Sequence, residues 1–162
     1  WDCPFSYQDI KSVGGAMGNN DVIDILNDLI ETCRDGQEGY RAAAANIQTS
    51  EFRRMFNILS QQRAQFVSEL QSEVHRLGGE PVSEGSVAGR VHRGWLKFKS
   101  KALGGDEASI VGSCQAGEEA AIAGYQGALK ADLPLDVQYV VKRQYMDIRD
   151  AYDRIRILQR AA

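Results

Sequence analysis

The sequence predicts an all-α protein: a four-helix bundle of two helical hairpins joined by a long crossover that contains a fifth, shorter helix. Apolar residues recur at steps of three and four over four long stretches, which is the pattern of bundle helices. Only three prolines occur in 162 residues, and two of them fall between these stretches. Residues 33–38 (CRDGQE) are also echoed by residues 114–119 (CQAGEE), 81 positions later, as expected for a hairpin that occurs twice.

The first hairpin is predicted from helices at about residues 20–48 and 51–77. Asn19 or Asn20 is expected to cap the first helix and Ser50 the second, because these side chains accept hydrogen bonds from free N–H groups. The apolar stripes of the two helices include Val22, Leu26, Leu29, Cys33, Tyr40, Phe52, Phe56, Leu59, Phe66 and Leu70.

The connection between the hairpins begins with a break at residues 78–86 that is rich in Gly, Glu, Pro and Ser. Its first two residues, Gly78 and Gly79, are typical of a helix end. A shorter amphipathic helix is expected at about residues 87–103. The whole connection is long enough to run the length of a bundle, which one long crossover between two hairpins requires.

The second hairpin is predicted from helices at about residues 107–129 and 135–160, with Asp106 as the cap of the first. A turn that contains Pro134 separates the two helices. Because the two hairpins repeat each other, we expect equivalent positions to meet at one level of the core.

The start of the chain is expected to lie outside the bundle. Residues 1–18 are interpreted as an N-terminal extension and residues 19–162 as the bundle domain, since the chain starts with Trp1 and Met17 directly precedes the first helix. The extension is either a segment added to the native chain or an arm that packs on a neighbouring subunit.

Composition narrows the class of protein. A net charge of −3 and a pI near 5.4 argue against extensive nucleic-acid binding, and no apolar run is long enough to span a bilayer. Cys3, Cys33 and Cys114 are odd in number and widely spaced, which indicates reduced thiols and a cytoplasmic location. Cys33 and Cys114 are expected on diagonally opposed helices, too far apart for a disulfide.

Four short motifs stand out together: residues 27–32 (NDLIET), 60–66 (SQQRAQF), 77–81 (LGGEP) and 91–95 (VHRGW). With them the chain resembles an uncharacterised, mostly proteobacterial family of ferritin-like proteins, a domain of unknown function. The wider superfamily resemblance is to rubrerythrin and bacterioferritin. The resemblance implies a ferritin-like fold and almost no biochemistry.

The centre of the predicted bundle lacks the usual di-metal pattern. Such a site takes Glu-x-x-His motifs from two helices, and this sequence contains none. The inward layer instead consists of Gln37, Arg63, Glu118 and Gln144. We therefore expect a polar core layer, no cofactor, no catalytic residue and no metal.

Arg63 and Glu118 have opposite charges at the same predicted level. We hypothesise a buried or half-buried ion pair between them, with Gln37 and Gln144 completing a polar network, because an unpaired charge in a core is costly. The alternative is that Arg63 extends to solvent along its aliphatic stem and Glu118 lies at the edge of its stripe. Glu38 and Glu119, although identical in the repeat, project onto the outer surface.

The sequence leaves three functions open. The first is a non-enzymatic bundle, stress-associated or structural, that acts through its surfaces as a homo-oligomer. The second is a divergent oxidoreductase or iron-handling protein that holds iron or manganese through Glu118, Asp147, Asp150 and Gln37.

The third is a binder of anionic surfaces, either nucleic acid or an acidic membrane. Its basis is the basic face of the crossover helix, which contains Arg90, Arg93, Lys97, Lys99 and Lys101. The ordinary alternative is a solvated face that balances a net acidic protein.

Overall fold

The computed structural model describes residues 17–83 and 106–161, and this part of the chain folds into four long α-helices. All four begin and end within two residues of the predicted ranges, and the all-α class is confirmed. The predicted crossover helix and residues 1–16 lie outside the described residues. We number the helices α1 (Asn19–Asn46), α2 (Ser50–Arg76), α3 (Glu107–Lys130) and α4 (Leu135–Ala161). None of them is long and apolar enough to cross a membrane.

The starts of the helices differ in how they are capped. Asp106 caps α3 as predicted, because its carboxylate accepts a hydrogen bond of 2.9 Å from the backbone N–H of Ser109. The N-cap of α2 is Thr49 rather than Ser50, and the Thr49 hydroxyl donates to the carboxylate of Glu107 instead of capping its own helix. The N-cap of α1 is a glycine rather than either predicted asparagine.

The end of α2 confirms the prediction for the two glycines that follow it. Gly78 has a φ of +82°, in the left-handed region that favours glycine. Its N–H donates to the carbonyl of His75, and the N–H of Gly79 donates to the carbonyl of Val74, at 2.9 and 3.0 Å. This pair of bonds is the Schellman motif, which satisfies the last free carbonyls of the helix.

Each helix packs against two neighbours. α1 lies beside α2 and α3, and α4 lies beside α3 and α2, so the diagonals of the described bundle are α1 with α4 and α2 with α3. The core consists of two apolar clusters, one at each end. The first cluster includes Leu26 and Leu70, and the second includes Phe56 and Ile155.

α1 and α3 run in opposite directions, as contacts at two levels show. Thr49, in the turn after the end of α1, bonds to Glu107 at the start of α3, whereas Cys33 in the middle of α1 bonds to Tyr125 near the end of α3. α2 and α4 are likewise antiparallel, since the start of α4 pairs with the end of α2 through Asp136 and Arg76, at 2.8 Å.

This arrangement corrects two expectations about the repeat. Cys33 and Cys114 lie on neighbouring helices, not on a diagonal, and both are buried free thiols. They nevertheless belong to different apolar clusters, because antiparallel helices carry equivalent positions in opposite directions. Equivalent positions therefore meet at one level only near the middle of the bundle, at the level of Gln37 and Glu118.

The segment after α2 passes along the outside of α1. The Asn27 side chain bonds the backbone of Glu80 and Val82, and the Arg34 guanidinium donates to the carbonyl of Val82 at 2.7 Å. Gly79 lies against Ile23, where a Cβ atom would stand only 2.7 Å from the Ile23 Cδ1. These contacts hold residues 79–82 against α1, from near its start to near its middle.

Candidate functional site

The middle of the bundle contains a buried ion pair between Arg63 and Glu118. Arg63 Nη1 lies 2.5 Å from Glu118 Oε1, and Arg63 Nη2 lies 2.9 Å from Glu118 Oε2. The two side chains are 2% and 0% exposed. Because Arg63 belongs to α2 and Glu118 to α3, the pair crosses a diagonal of the bundle. Two parallel hydrogen bonds of this kind are the strongest arrangement that arginine makes with a carboxylate.

The surroundings of the guanidinium are shaped to receive it. The Arg63 Cζ atom lies 5.5 Å from the centre of the Tyr40 ring and 5.8 Å from that of the Phe66 ring, within the range of cation–π attraction. Gly36 leaves room for the side chain, since a Cβ atom there would stand 3.4 Å from Arg63 Cγ. The aromatic faces thus partly offset the hydration that the cation loses on burial, and the absence of a side chain at position 36 leaves room for the arginine stem.

The protonation of this centre is fixed at neutral pH. Burial alone would lower the pKa of Arg63, but the charge and hydrogen bonds of Glu118 raise it above its usual value, so the guanidinium stays charged. Burial raises the pKa of Tyr40 well above its usual value, and the negative charge of Glu118 raises it further. Tyr40 therefore remains a neutral phenol beside the ion pair.

A second set of polar groups links all four helices. The Tyr125 hydroxyl on α3 donates to Gln144 Oε1 on α4 at 2.7 Å, and the Gln144 amide nitrogen reaches the carbonyl of Phe66 on α2 at 3.5 Å. Cys33 Sγ on α1 lies 3.1 Å from the Tyr125 oxygen. Since the single Tyr125 proton is given to Gln144, the Cys33 thiol is the donor to Tyr125.

These groups also remain neutral. Burial raises the pKa of Cys33 to about 11, and the hydrogen bond that the thiol shares with Tyr125 only partly opposes this. Burial raises the pKa of Tyr125 well above its usual value as well. A buried thiol with a raised pKa is a poor nucleophile. The hydrogen bonds of Cys33, Tyr125 and Gln144 therefore hold the helices together and do not form a reactive site.

Of the four residues predicted for the polar layer, three are buried and one is at its edge. Arg63, Glu118 and Gln144 are buried, whereas Gln37 is half-buried. The backbone carbonyl of Gln37 accepts a hydrogen bond of 2.8 Å from Ser60. Within the described residues the side chain of Gln37 has no hydrogen bond to the other three, because Gly36 turns towards Arg63 in its place.

The residues proposed for the metal alternative are not gathered into one site. Asp150 is exposed and pairs with Arg154 at 3.0 Å, and Asp147 is half-buried on α4. Across residues 17–83 and 106–161, no group of three His, Cys, Asp or Glu side chains is placed to hold a metal ion. Both oxygens of Glu118 already bind a guanidinium. This donor set does not fit the carboxylate and histidine ligands of a di-metal bundle.

The remaining predicted positions lie elsewhere. Glu38 and Glu119 are exposed, as predicted, and Glu119 accepts a hydrogen bond of 2.9 Å from the Tyr152 hydroxyl. The basic residues proposed for anion binding, Arg90, Arg93, Lys97, Lys99 and Lys101, lie outside the described residues.

The sequence interpretation missed the parts that Tyr40, Tyr125 and Cys33 play in this centre. All three fall on apolar stripes at bundle spacing, where they look like ordinary core residues. A signal was nevertheless present, since a buried tyrosine hydroxyl needs a polar partner at its own level. In an antiparallel arrangement of α1 and α3, Tyr125 lies opposite Cys33.

Comparison with known proteins relates this architecture to a family and to solved structures. The model of a family described as "Domain of unknown function (DUF2383)" matches residues 21–131. A search of curated proteins finds no match.

Among solved structures, a two-domain protein from Anabaena variabilis with DJ-1/ThiJ/PfpI-like and ferritin-like domains is 18% identical, with a TM-score of 0.76. The match covers 91% of this chain but only 41% of that one.

Two further structures match over most of both chains. The dodecameric thioferritin of Bacteroides fragilis, a bacterioferritin-related protein, is 14% identical with a TM-score of 0.70, over 93% of this chain and 91% of that one. The DPS protein from Vibrio cholerae O1, a member of a superfamily of ferritin-like diiron-carboxylate proteins, is 17% identical with a TM-score of 0.64, over 87% and 88%. These likenesses show that the fold is ferritin-like.

Proposed function

From the premise that this chain belongs to the DUF2383 family, we propose that it is a non-enzymatic ferritin-like bundle. Its centre carries an ion pair where a di-metal site would lie, and its role, structural or stress-associated, is exerted through its surfaces. The observation that carries this proposal is the bidentate bond between Arg63 and Glu118, which uses both oxygens of a fully buried carboxylate at the centre.

The ion pair opposes metal binding for an electrostatic reason. A divalent cation at Glu118 would need at least one of the oxygens that the guanidinium now binds. The guanidinium would then lose part of its pairing and lie beside a second positive charge in a medium of low polarity, which is strongly unfavourable. A metal could enter this centre only if Arg63 left it, and the Tyr40 and Phe66 rings pack around Arg63.

The other polar groups of the centre support a structural role. Cys33 and Tyr125 are kept neutral by burial, and they donate hydrogen bonds that tie one helix to the next. A nucleophile or general base needs an accessible, partly ionised group, and neither residue meets that need.

Assembly and location complete the proposal. A homo-oligomer is supported by large apolar side chains that stay exposed on the helices, and a related fold, the Bacteroides fragilis thioferritin, is described as a dodecamer. A cytoplasmic location is supported by Cys33 and Cys114, which are free thiols.

Metal analysis tests the proposal. Protein purified without added metal, and then offered iron(II) or manganese(II) under anaerobic conditions, is expected to hold far less than one ion per chain after desalting. About two ions per chain, the stoichiometry of a di-metal bundle, would overturn it.

A paired variant decides what such binding would mean. If the bound ions disappeared in Asp147→Asn/Asp150→Asn, the divergent iron or manganese protein would be the correct function. Both residues are outside the buried centre, so this variant is expected to fold normally. Circular dichroism and thermal unfolding provide the control for folding.

A further inference from the structure

The outer face of α4 carries an apolar stripe that packs against nothing in the described bundle. Five large hydrophobic residues are exposed in the described part of the chain, and four of them lie on this helix. At about 100° per residue, all four project within roughly 20° of the direction of Met146. We call this stripe the α4 seam; it consists of Leu135, Tyr139, Met146 and Ile157, which are 83%, 70%, 62% and 64% exposed.

Charged residues occupy the gaps in the seam, with opposite signs on the two sides of Met146. Lys142 lies on the N-terminal side, and Asp150 and Asp153 lie on the C-terminal side, all within about 40° of the Met146 direction. Asp150 pairs with Arg154 of its own helix. Within the described residues, neither Lys142 nor Asp153 forms an ion pair.

The seam is complementary to itself when a second copy is laid against it in the opposite direction. Leu135 and Ile157 each lie 11 residues from Met146, so the two apolar ends meet. Tyr139 and Asp153 each lie seven residues away, and Lys142 lies four residues away on the same side as Tyr139. A two-fold axis at Met146 thus brings the lysine of each copy to the level of the other copy's aspartates.

We propose that a second copy of this chain docks on the α4 seam, antiparallel, with the two-fold axis at Met146. The inference rests on the assembly role in the proposed function and assigns that role a surface. A closed pair of this kind is isologous, meaning that each copy uses the same patch. It buries the four large apolar residues and lets Lys142 of each copy form an ion pair with Asp153 of the other.

Charge selects this orientation over the parallel one. Parallel copies in register would place Lys142 against Lys142 and Asp153 against Asp153, and like charges that face each other are unfavourable. The antiparallel pair replaces both repulsions by attractions. A surface concavity lined by Tyr139, Lys142, Arg143, Met146 and Asp147 lies along the seam and offers space to a side chain of the second copy.

Charge reversal tests the proposal through the dimer dissociation constant, measured by sedimentation equilibrium. Lys142→Glu alone and Asp153→Lys alone each create a like-charge contact in both halves of the dimer, and each is expected to weaken it by about tenfold or more. An equimolar mixture of the two variants is expected to recover wild-type affinity within about threefold, because unlike chains place opposite charges at both contacts.

Arg54→Glu on α2 is the matched control, since it reverses an exposed charge on another helix and should leave the constant unchanged. A second measurement uses Met146→Cys in a Cys3→Ser background, with Ile58→Cys as its control. Mild oxidation is expected to crosslink the Met146→Cys chains and not the Ile58→Cys chains, because only Met146 meets its own copy on the axis.

A monomeric wild type, or variants that fail to recover on mixing, would overturn the proposal. The failure of the proposed function has a different readout. Two metal ions per chain would reject the metal-free centre and leave the seam intact, whereas a monomer without metal would reject the seam alone.

Discussion

Gly36 of α1 lies directly against the side chain of Arg63, so that a Cβ atom at position 36 would stand 3.4 Å from Arg63 Cγ and 3.5 Å from Nη1. The Arg63 side chain of the ion pair thus packs closely against a residue that has no side chain of its own. A Cβ atom would just touch the arginine stem, so a side chain larger than that of alanine at this position would have to displace it.

Gly36→Leu is expected to destabilise the protein by about 1–3 kcal/mol or more, because the larger side chain must displace the arginine stem from a packed core. Gly127→Leu is the matched control, since no atom lies within 4 Å of a Cβ there. That exposed substitution should stabilise by roughly 0.5–1 kcal/mol through helix propensity. Urea unfolding measures both; equal effects at the two positions would contradict the contact.

Arg63→Met is expected to cost about 3–5 kcal/mol of unfolding free energy, because it leaves the Glu118 carboxylate buried without its partner. The double variant Arg63→Met/Glu118→Leu should recover most of that loss, since an apolar pair needs no compensation. Arg154→Met, which removes an exposed partner of Asp150, serves as the control and should change stability very little. A loss within experimental error in the single variant would show that the pair contributes nothing.

Stability is expected to fall at alkaline pH because of the buried thiol. The pKa of Cys33 is about 11 in the folded protein against an ordinary value of 9.0, so folding favours the neutral form. This contribution is complete below pH 9 and is lost as the pH rises through the folded pKa, by at most about 1.4 kcal/mol per pH unit. The raised pKa values of the second buried thiol, Cys114, and of Tyr40 and Tyr125 act in the same direction.

Cys33→Ser isolates the thiol, because serine keeps a donor to Tyr125 and does not ionise in this range. Unfolding by urea at several pH values between neutral and about pH 10.5 should give a shallower decline for this variant. If the two proteins declined in parallel, the thiol would not be the group that titrates.

The helices were predictable because their signals are local. Apolar steps of three and four, Asp106 before α3 and the glycine pair after α2 each act within a few residues. The cap of α2 was predicted one residue late, and the Thr49 side chain bonds Glu107, a partner that lies far away in sequence.

The centre was predictable only in part, because its geometry depends on how the helices face one another. Arg63 and Glu118 were identified from their charge at an inward position. Gln37 was included by equivalence in the repeat, yet Gly36 contacts the arginine instead. The hydrogen bond between Cys33 and Tyr125 could be predicted only with knowledge that α1 and α3 are antiparallel, and the apolar stripe of one helix does not give that direction.

The uneven distribution of charge between the hairpins determines which hairpins can combine. The first hairpin brings Arg63 and the second brings Glu118, while their repeat equivalents, Gln144 and Gln37, are uncharged. Two copies of the first hairpin would bury two guanidinium groups with no carboxylate, and two copies of the second would bury two carboxylates with no cation. Burial of two like charges without a partner would destabilise both mispaired bundles. A first hairpin therefore pairs more favourably with the second hairpin of its own chain than with the first hairpin of a neighbouring chain.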